Sequence, residues 1–112
     1  MWGRSIIMAV CVALCVAPSA AQDRARPATE FDRLLNLDAA GVMEVLGLPV
    51  QDAEEGPARR LQFASAACIL DVYLYPPSEG AAPRVAYASA RVPDGREADR
   101  NLCITMLRLQ QR

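Results

Sequence analysis

The residues that could carry chemistry are few in this chain, and their types exclude most familiar active sites. None of the 112 residues is histidine, which removes the usual Ser-His-Asp and Cys-His nucleophile systems and the commonest zinc ligand. No glycine-rich phosphate loop is present. Cys68 and Cys103 are too far apart in sequence for a Cys-x-x-Cys redox site. We therefore expect a protein that is not an enzyme, with no catalytic residue, no metal and no cofactor.

Two groups of carboxylates are the remaining candidates for a polar site. Asp52, Glu54 and Glu55 cluster in a predicted turn, where they could bind a hard cation such as calcium, but the pattern is too short for a calcium loop and a solvated turn explains it. Asp71 lies in the middle of an apolar strand pattern. It is either a paired or general-acid carboxylate or a residue that faces solvent on the open side of a sheet. No second carboxylate completes an acid–base pair with it.

Tyrosines suggest a binding surface rather than a reaction. Ile69, Tyr73 and Tyr75 alternate along one predicted strand and so share one of its faces. If Tyr87 lies opposite on the neighbouring strand, this face carries an aromatic patch. Tyrosine is enriched in protein interfaces, whereas ordinary cross-strand pairing is the alternative explanation. We predict that these four residues bind a protein partner.

The N-terminus predicts export. Arg4 precedes an apolar run over residues 5–16, which is shorter than the roughly 20 residues that span a bilayer. Ser19 and Ala21 are small, as signal peptidase requires, so we expect residues 1–21 to be a cleaved signal peptide. An uncleaved membrane anchor is the alternative. Cleavage would leave a flexible leader over residues 22–29 and a single domain over residues 30–112, with no transmembrane span.

The cysteines are consistent with export to an oxidising compartment. Cys11 and Cys15 lie inside the apolar run and follow large residues, which argues against a lipid anchor. Cys68 and Cys103 remain after cleavage and are predicted to form one disulfide. In the chain-entropy model, closing a loop of this length stabilises the fold by about 3–4 kcal/mol. Two separate buried thiols are the alternative.

The hydrophobic pattern of the sequence predicts the helices and strands that position these residues. Asp38 is a good helix N-cap, apolar residues recur at helical spacing after it, and Gly47 with Pro49 ends the helix. Three alternating strands are predicted over residues 59–64, 67–75 and 84–92, and a helix over 96–112. The apolar stripe of this last helix is Ala98, Leu102, Thr105, Met106 and Leu109, widened by Cys103 and Leu107. The prediction is a two-layer α+β domain (α-β-β-β-α), a three-stranded antiparallel sheet packed by two short helices.

The run Leu37-x4-Val42-x3-Leu46-Gly47-x-Pro49, then Glu55-Gly56 and Leu61-x-Phe63, resembles the SmpA/OmlA (BamE) family of small periplasmic domains. The resemblance covers residues 37–75. It implies a two-helix, three-stranded domain and an accessory role in outer-membrane barrel-protein assembly. The family's lipid-bearing cysteine has no counterpart in this chain. The cysteine pair and the last helix lie outside the family pattern.

These observations favour an exported interaction module of the bacterial periplasm or outer membrane. The formal net charge of −1 gives no basic footprint for nucleic acid. The expected partner is an envelope protein, bound by the outer face of the sheet or by the loop over residues 76–83. The alternative is a small secreted inhibitor of a hydrolase, because the predicted architecture also resembles protein inhibitors of β-lactamase. Such an inhibitor would present loop residues such as Tyr75 and Glu79 to its enzyme.

Overall fold

The computed structural model describes Gly3 and residues 10–13 and 27–111. The predicted cleavage site, Cys15 and residues 22–26 of the predicted leader lie outside the described residues. The elements are helices α1 (Glu30–Leu34) and α2 (Ala39–Leu46), strands β1 (Gln51–Glu55), β2 (Ala58–Ala64), β3 (Ile69–Tyr75) and β4 (Arg84–Arg91), and helix α3 (Arg100–Leu109). Within this part of the chain, every helix is too short or too polar to cross a membrane.

The predicted three-stranded sheet with two helices is wrong. The sheet has four antiparallel strands in the order β1-β2-β3-β4, and three helices accompany it. The strand missing from the prediction is β1, because its sequence, Gln-Asp-Ala-Glu-Glu, is poor in β-forming residues. It forms because a two-residue turn returns it onto β2. Gly56 begins that turn with φ of 59°, as the first position of a type II′ hairpin requires.

Side-chain caps fix where the helices begin. The Asp38 side chain accepts a hydrogen bond from the Gly41 backbone N–H at 2.8 Å, which confirms the predicted start of α2. Gly47 ends α2 with φ of 84°. Thr29 and Asp32 form a capping box at α1, and Asp99 caps α3. The sequence prediction began the last helix at residue 96, before this cap.

One face of the sheet packs against the helices and forms the core. Leu70, Val72 and Leu74 of β3 are fully buried there, among Leu34, Val42 and Ile104 of the three helices. The predicted disulfide is confirmed: Cys68, just before β3, is bonded to Cys103 of α3, with their Cα atoms 6.0 Å apart. The bond ties the last helix to the central strand.

The buried side of α3 coincides with only part of the predicted stripe, at Cys103 and Leu107. Its buried residues are Cys103, Ile104 and Leu107. Leu102, Met106 and Leu109, which were expected to face the core, are 61%, 37% and 49% exposed. The disulfide holds Cys103 against the sheet, so the helix face centred on Cys103 and Leu107 turns inward and the stripe beside it turns outward.

A bulge changes the faces of β4. The pairing of β3 with β4 shifts register after Tyr73, so that Tyr73 pairs with Tyr87 but Leu74 pairs with Val85. Simple alternation would place Val85 and Tyr87 on one face. The extra residue, Ala86, instead lets Val85 enter the core while Tyr87 faces the other way.

Candidate functional site: the open face of the sheet

The candidate site is the sheet face that the helices leave uncovered, which we call the open face. Alternation places every second side chain of β2 and β3 on it. Cross-strand pairs on this face include Arg60 with Tyr73 and Gln62 with Asp71. The residues of the open face include Arg60, Gln62, Ile69, Asp71, Tyr73, Tyr75, Tyr87 and Arg91.

Asp71 is the polar centre of the open face. It is only 3% exposed, although no helix covers it, because neighbouring long side chains fold over it. Its Oδ1 accepts hydrogen bonds from Arg60 Nη1 at 3.2 Å and from Gln62 Nε2 at 2.9 Å, and its Oδ2 accepts from Arg91 Nη1. Strands β2, β3 and β4 each contribute to this cluster, which we call the Asp71 network.

The Asp71 network keeps its carboxylate ionised. Burial alone would raise the pKa of Asp71, because the charged form loses solvation. Hydrogen bonds from Gln62 and Arg91, with the positive charge of Arg91, outweigh burial and lower the pKa of Asp71 below its usual 3.8. The carboxylate is therefore a fixed hydrogen-bond acceptor. A general acid at neutral pH needs a raised pKa instead, so the general-acid interpretation does not fit this environment.

A tyrosine pair lies beside the Asp71 network. Tyr73 and Tyr87 are directly opposite on β3 and β4, with ring centroids 5.9 Å apart and ring planes tilted by 33°. This is ordinary geometry for a stabilising aromatic pair. Burial, followed by the charges of Asp71 and Glu55, raises the pKa of Tyr73 above 10.0, so its hydroxyl stays protonated.

All four predicted partner-binding residues lie on the open face. Tyr87 is 53% exposed and Tyr75 is 44% exposed. Tyr73 and Ile69 are half-buried. Tyr75 pairs with Arg84 at the far end of β3, and Ile69 pairs with Arg91 at the near end. The four residues thus follow the length of β3, with Tyr87 projecting from the neighbouring strand.

Sequence reasoning missed the groups that order this face: Arg60, Gln62 and Arg91. The alternation of β2 could have identified two of them. Because Leu61 and Phe63 lie in the core, Arg60 and Gln62 must lie on the opposite face of the sheet. Their distance from Asp71 depends on the register between strands. A strand pattern alone does not specify that register.

The acidic residues predicted to lie in a turn are instead on strand β1, which corrects their interpretation. Asp52 accepts hydrogen bonds from Arg59 Nε and Nη2 at 2.9 and 2.6 Å, and Glu55 accepts one from Arg60 Nε at 2.8 Å. Cross-strand pairing with arginines therefore separates the carboxylates. Among the described residues, no three acidic, cysteine or histidine side chains converge on a possible metal position.

Comparison with known proteins adds no relative. No family model, curated protein or solved structure matches the chain. The geometry of the open face is therefore the basis for assigning a function.

Proposed function

We propose that this chain is a non-enzymatic, exported interaction module whose open face binds a protein partner in the bacterial envelope. The observation that carries the proposal is the exposure of Tyr75 and Tyr87 on an uncovered sheet face. Aromatic and arginine side chains contribute most of the binding energy in many protein interfaces. The open face has both types within two adjacent strands.

The Asp71 network supports binding because it fixes the surface in advance. Arg60 bridges Asp71 and Glu55, and its side chain is only 18% exposed. Immobilising a flexible side chain on association costs about 0.5–1.5 kcal/mol. Since the network already holds Arg60 and Arg91, the partner does not have to order them.

The Tyr73–Tyr87 pair supplies the apolar part of the same surface. Tyr73 is half-buried by its neighbours, while Tyr87 leaves half of its surface available. A tyrosine has few rotatable bonds and exposes both an apolar ring and a hydroxyl, so it gives large contact area at low entropic cost. A partner that covers Tyr87 would remove that area from water.

The cellular role follows from the N-terminus and the resemblance. The signal-like residues 1–21 support export to the periplasm or the outer membrane. The resemblance to SmpA/OmlA (BamE) domains supports a partner among proteins that assemble or maintain the outer membrane. We propose an accessory role of that kind. A hydrolase recognised by Tyr75 and the following loop is the alternative partner.

The proposal is tested by replacing aromatic residues on the open face. Tagged wild-type protein and a Tyr73→Ala/Tyr75→Ala variant are exported in cells, the envelope is crosslinked, and captured proteins are identified by mass spectrometry. Leu102→Ala/Met106→Ala is the matched control, because both residues are exposed on α3, away from the open face. We expect the tyrosine variant to lose the partner and the control to retain it.

Other outcomes have definite meanings. Equal recovery by wild type and the tyrosine variant would contradict the open face as the binding surface. Recovery of the barrel-assembly machinery would support the accessory role. Recovery of a single hydrolase that the purified protein inhibits would favour the inhibitor. Circular dichroism of both variants checks that lost binding is not lost folding.

A further inference from the structure

The two edges of the sheet differ in whether another strand could reach them. At the β4 edge, the Asn36 N–H donates to the Val85 carbonyl at 3.0 Å, and the Val85 N–H donates to the Leu37 carbonyl at 2.8 Å. At the other end of β4, the Ala98 N–H donates to the Ala90 carbonyl at 3.1 Å. The chain itself therefore occupies much of the β4 edge.

The β1 edge is open in the described part of the chain, where β2 is the only strand that pairs with it. Glu55 and Ala58 flank the two-residue turn, so they form a hydrogen-bonded pair, and such pairs alternate along the hairpin. Backbone groups of Asp52 and Glu54 consequently point away from β2. Unpaired groups of this kind are a template for an added strand.

The helices also leave β1 uncovered. Asp52 and Glu54 lie on the helix side of the sheet, because Asp52 pairs with Leu61 of the core. Both are nevertheless exposed. Val50, which precedes the strand, is 65% exposed, and its N–H donates to the Gln62 carbonyl at 2.7 Å, so this backbone group is already bonded to β2. The helices therefore leave room on this side of β1 for the side chains of an added strand as well as for its backbone.

Charge selects the occupant of this edge. Glu54 forms no ion pair with any described residue, whereas Asp52 and Glu55 are each paired with an arginine. A second copy of β1 lying antiparallel would place acidic residues against acidic residues, and like charges directly opposite destabilise a pair. An extended segment that carries arginine or lysine would instead complete the pairing of Glu54.

We infer that β1 binds an extended basic segment of a partner protein by strand addition, with basic residues opposite Glu54 and Asp52. In an antiparallel arrangement, the segment reads basic-x-basic, since alternate residues share a face. Backbone hydrogen bonds hold the segment and the side chains select it. The inference does not depend on the open face and goes beyond the proposed function.

A peptide titration tests the inference on the full exported protein with its disulfide intact. The probe is a capped peptide in which two arginines alternate with threonines. Two control peptides replace the arginines with glutamate or carry N-methyl groups on the arginine backbone nitrogens. Binding is measured by calorimetry, and amide hydrogen exchange locates the bound segment.

We expect the probe to bind and to slow amide exchange at Asp52 and Glu54. Glu54→Arg should weaken binding about tenfold, which corresponds to about 1.4 kcal/mol. Glu79→Arg makes the same charge reversal in an exposed loop and should leave the affinity unchanged. Tyr87→Ala should also leave it unchanged, which separates this test from that of the open face.

Any of the following results would overturn the inference. The first is no binding of the probe. The second is equal binding of the N-methylated peptide, since attraction between charges alone would explain it. The third is an equal loss of affinity in Glu54→Arg and Glu79→Arg, or slowed exchange confined to β4.

Discussion

The two faces of the sheet are built from the same strands but are held together by different forces. On the helix side, Leu70, Val72 and Leu74 are fully buried in one apolar core. On the open face, Asp71 is nearly as buried, but its neighbours are Arg60 and Arg91. Burial on one side removes apolar area from water, whereas burial on the other depends on directional hydrogen bonds.

In the proposed function, this difference separates stability from recognition along a single strand. Core side chains specify the fold and leave no surface for a partner. The charged and aromatic side chains between them fix the shape of an exposed surface, and each individually contributes less to folding. Substitutions on the helix side should therefore mainly change stability, while those at the periphery of the open face should mainly change binding.

The largest expected effect is at the disulfide, which belongs to the helix side. Replacing both Cys68 and Cys103 with alanine should lower the free energy of unfolding by about 3–4 kcal/mol, because the bond closes a loop of 35 residues. Urea unfolding followed by circular dichroism measures the change. Reduction of the wild-type protein is the control and should give a similar loss. Unchanged stability in both experiments would contradict the role assigned to the bond.

Neighbouring residues of β3 compare the two faces directly. Leu70→Ala removes a fully buried core side chain and should cost about 3 kcal/mol. Ile69→Ala, one residue earlier, removes a half-buried side chain of the open face and should cost about 1 kcal/mol. The same urea titration measures both variants. Equal losses would show that the open face is packed as a second core.

Breaking the Asp71 network should have an intermediate effect. Asp71→Asn removes the charge that Arg60 and Arg91 share, and should cost about 2 kcal/mol at neutral pH. Asp94→Asn is the matched control, because Asp94 pairs with Arg96 at an exposed turn. Exposed pairs contribute about 0–1 kcal/mol. If the two variants lost equal stability, the network would have no special role.

The same network predicts a pH dependence. The pKa of Asp71 is lowered in the folded protein, so its contribution is fully present above about 4, near the unfolded value, and is lost as pH falls through the lower folded value. In acid, the free energy of unfolding of the wild-type protein should therefore no longer exceed that of Asp71→Asn. Unfolding titrations at pH 7, 4 and about 2.5 measure this difference. An advantage that persisted below both pKa values would contradict the assignment.

The smallest expected effect on stability is at Tyr87. Half of its side chain is exposed, so Tyr87→Ala should cost about 0.5–1 kcal/mol, mainly through loss of the pair with Tyr73. Its effect on partner recovery should be large. Tyr87→Phe keeps the ring and serves as the control for stability. A large loss of stability with unchanged binding would show that Tyr87 acts in folding and not in recognition, contrary to the difference drawn between the two faces.

Local signals predicted the parts of this fold that local chemistry determines. The cap at Asp38 and the stop at Gly47 located α2, and alternation located the central strand with Tyr73 and Asp71 on one face. The cysteine pair was predictable because the proposed signal cleavage would leave only Cys68 and Cys103. Strand β1 was not predictable, since its acidic residues are poor β-formers and pair only because β2 is adjacent.

The arrangement of the candidate site depended on contacts between distant residues. Arg91 reaches Asp71 across β4, and the bulge that turns Tyr87 toward the open face is a property of pairing rather than of sequence pattern. Helix α3 has several apolar residues on more than one side, so periodicity did not decide which side the disulfide would turn inward. Register and orientation therefore account for the errors.

The most direct test of the central claim is site-specific photocrosslinking in living cells. A photoreactive residue is placed at Tyr87 on the open face or, in a separate strain, at Glu44, which is exposed on α2. We expect a discrete crosslinked protein from position 87 and none from position 44. A discrete adduct from position 44, with none from position 87, would contradict the open face as the surface that binds the partner.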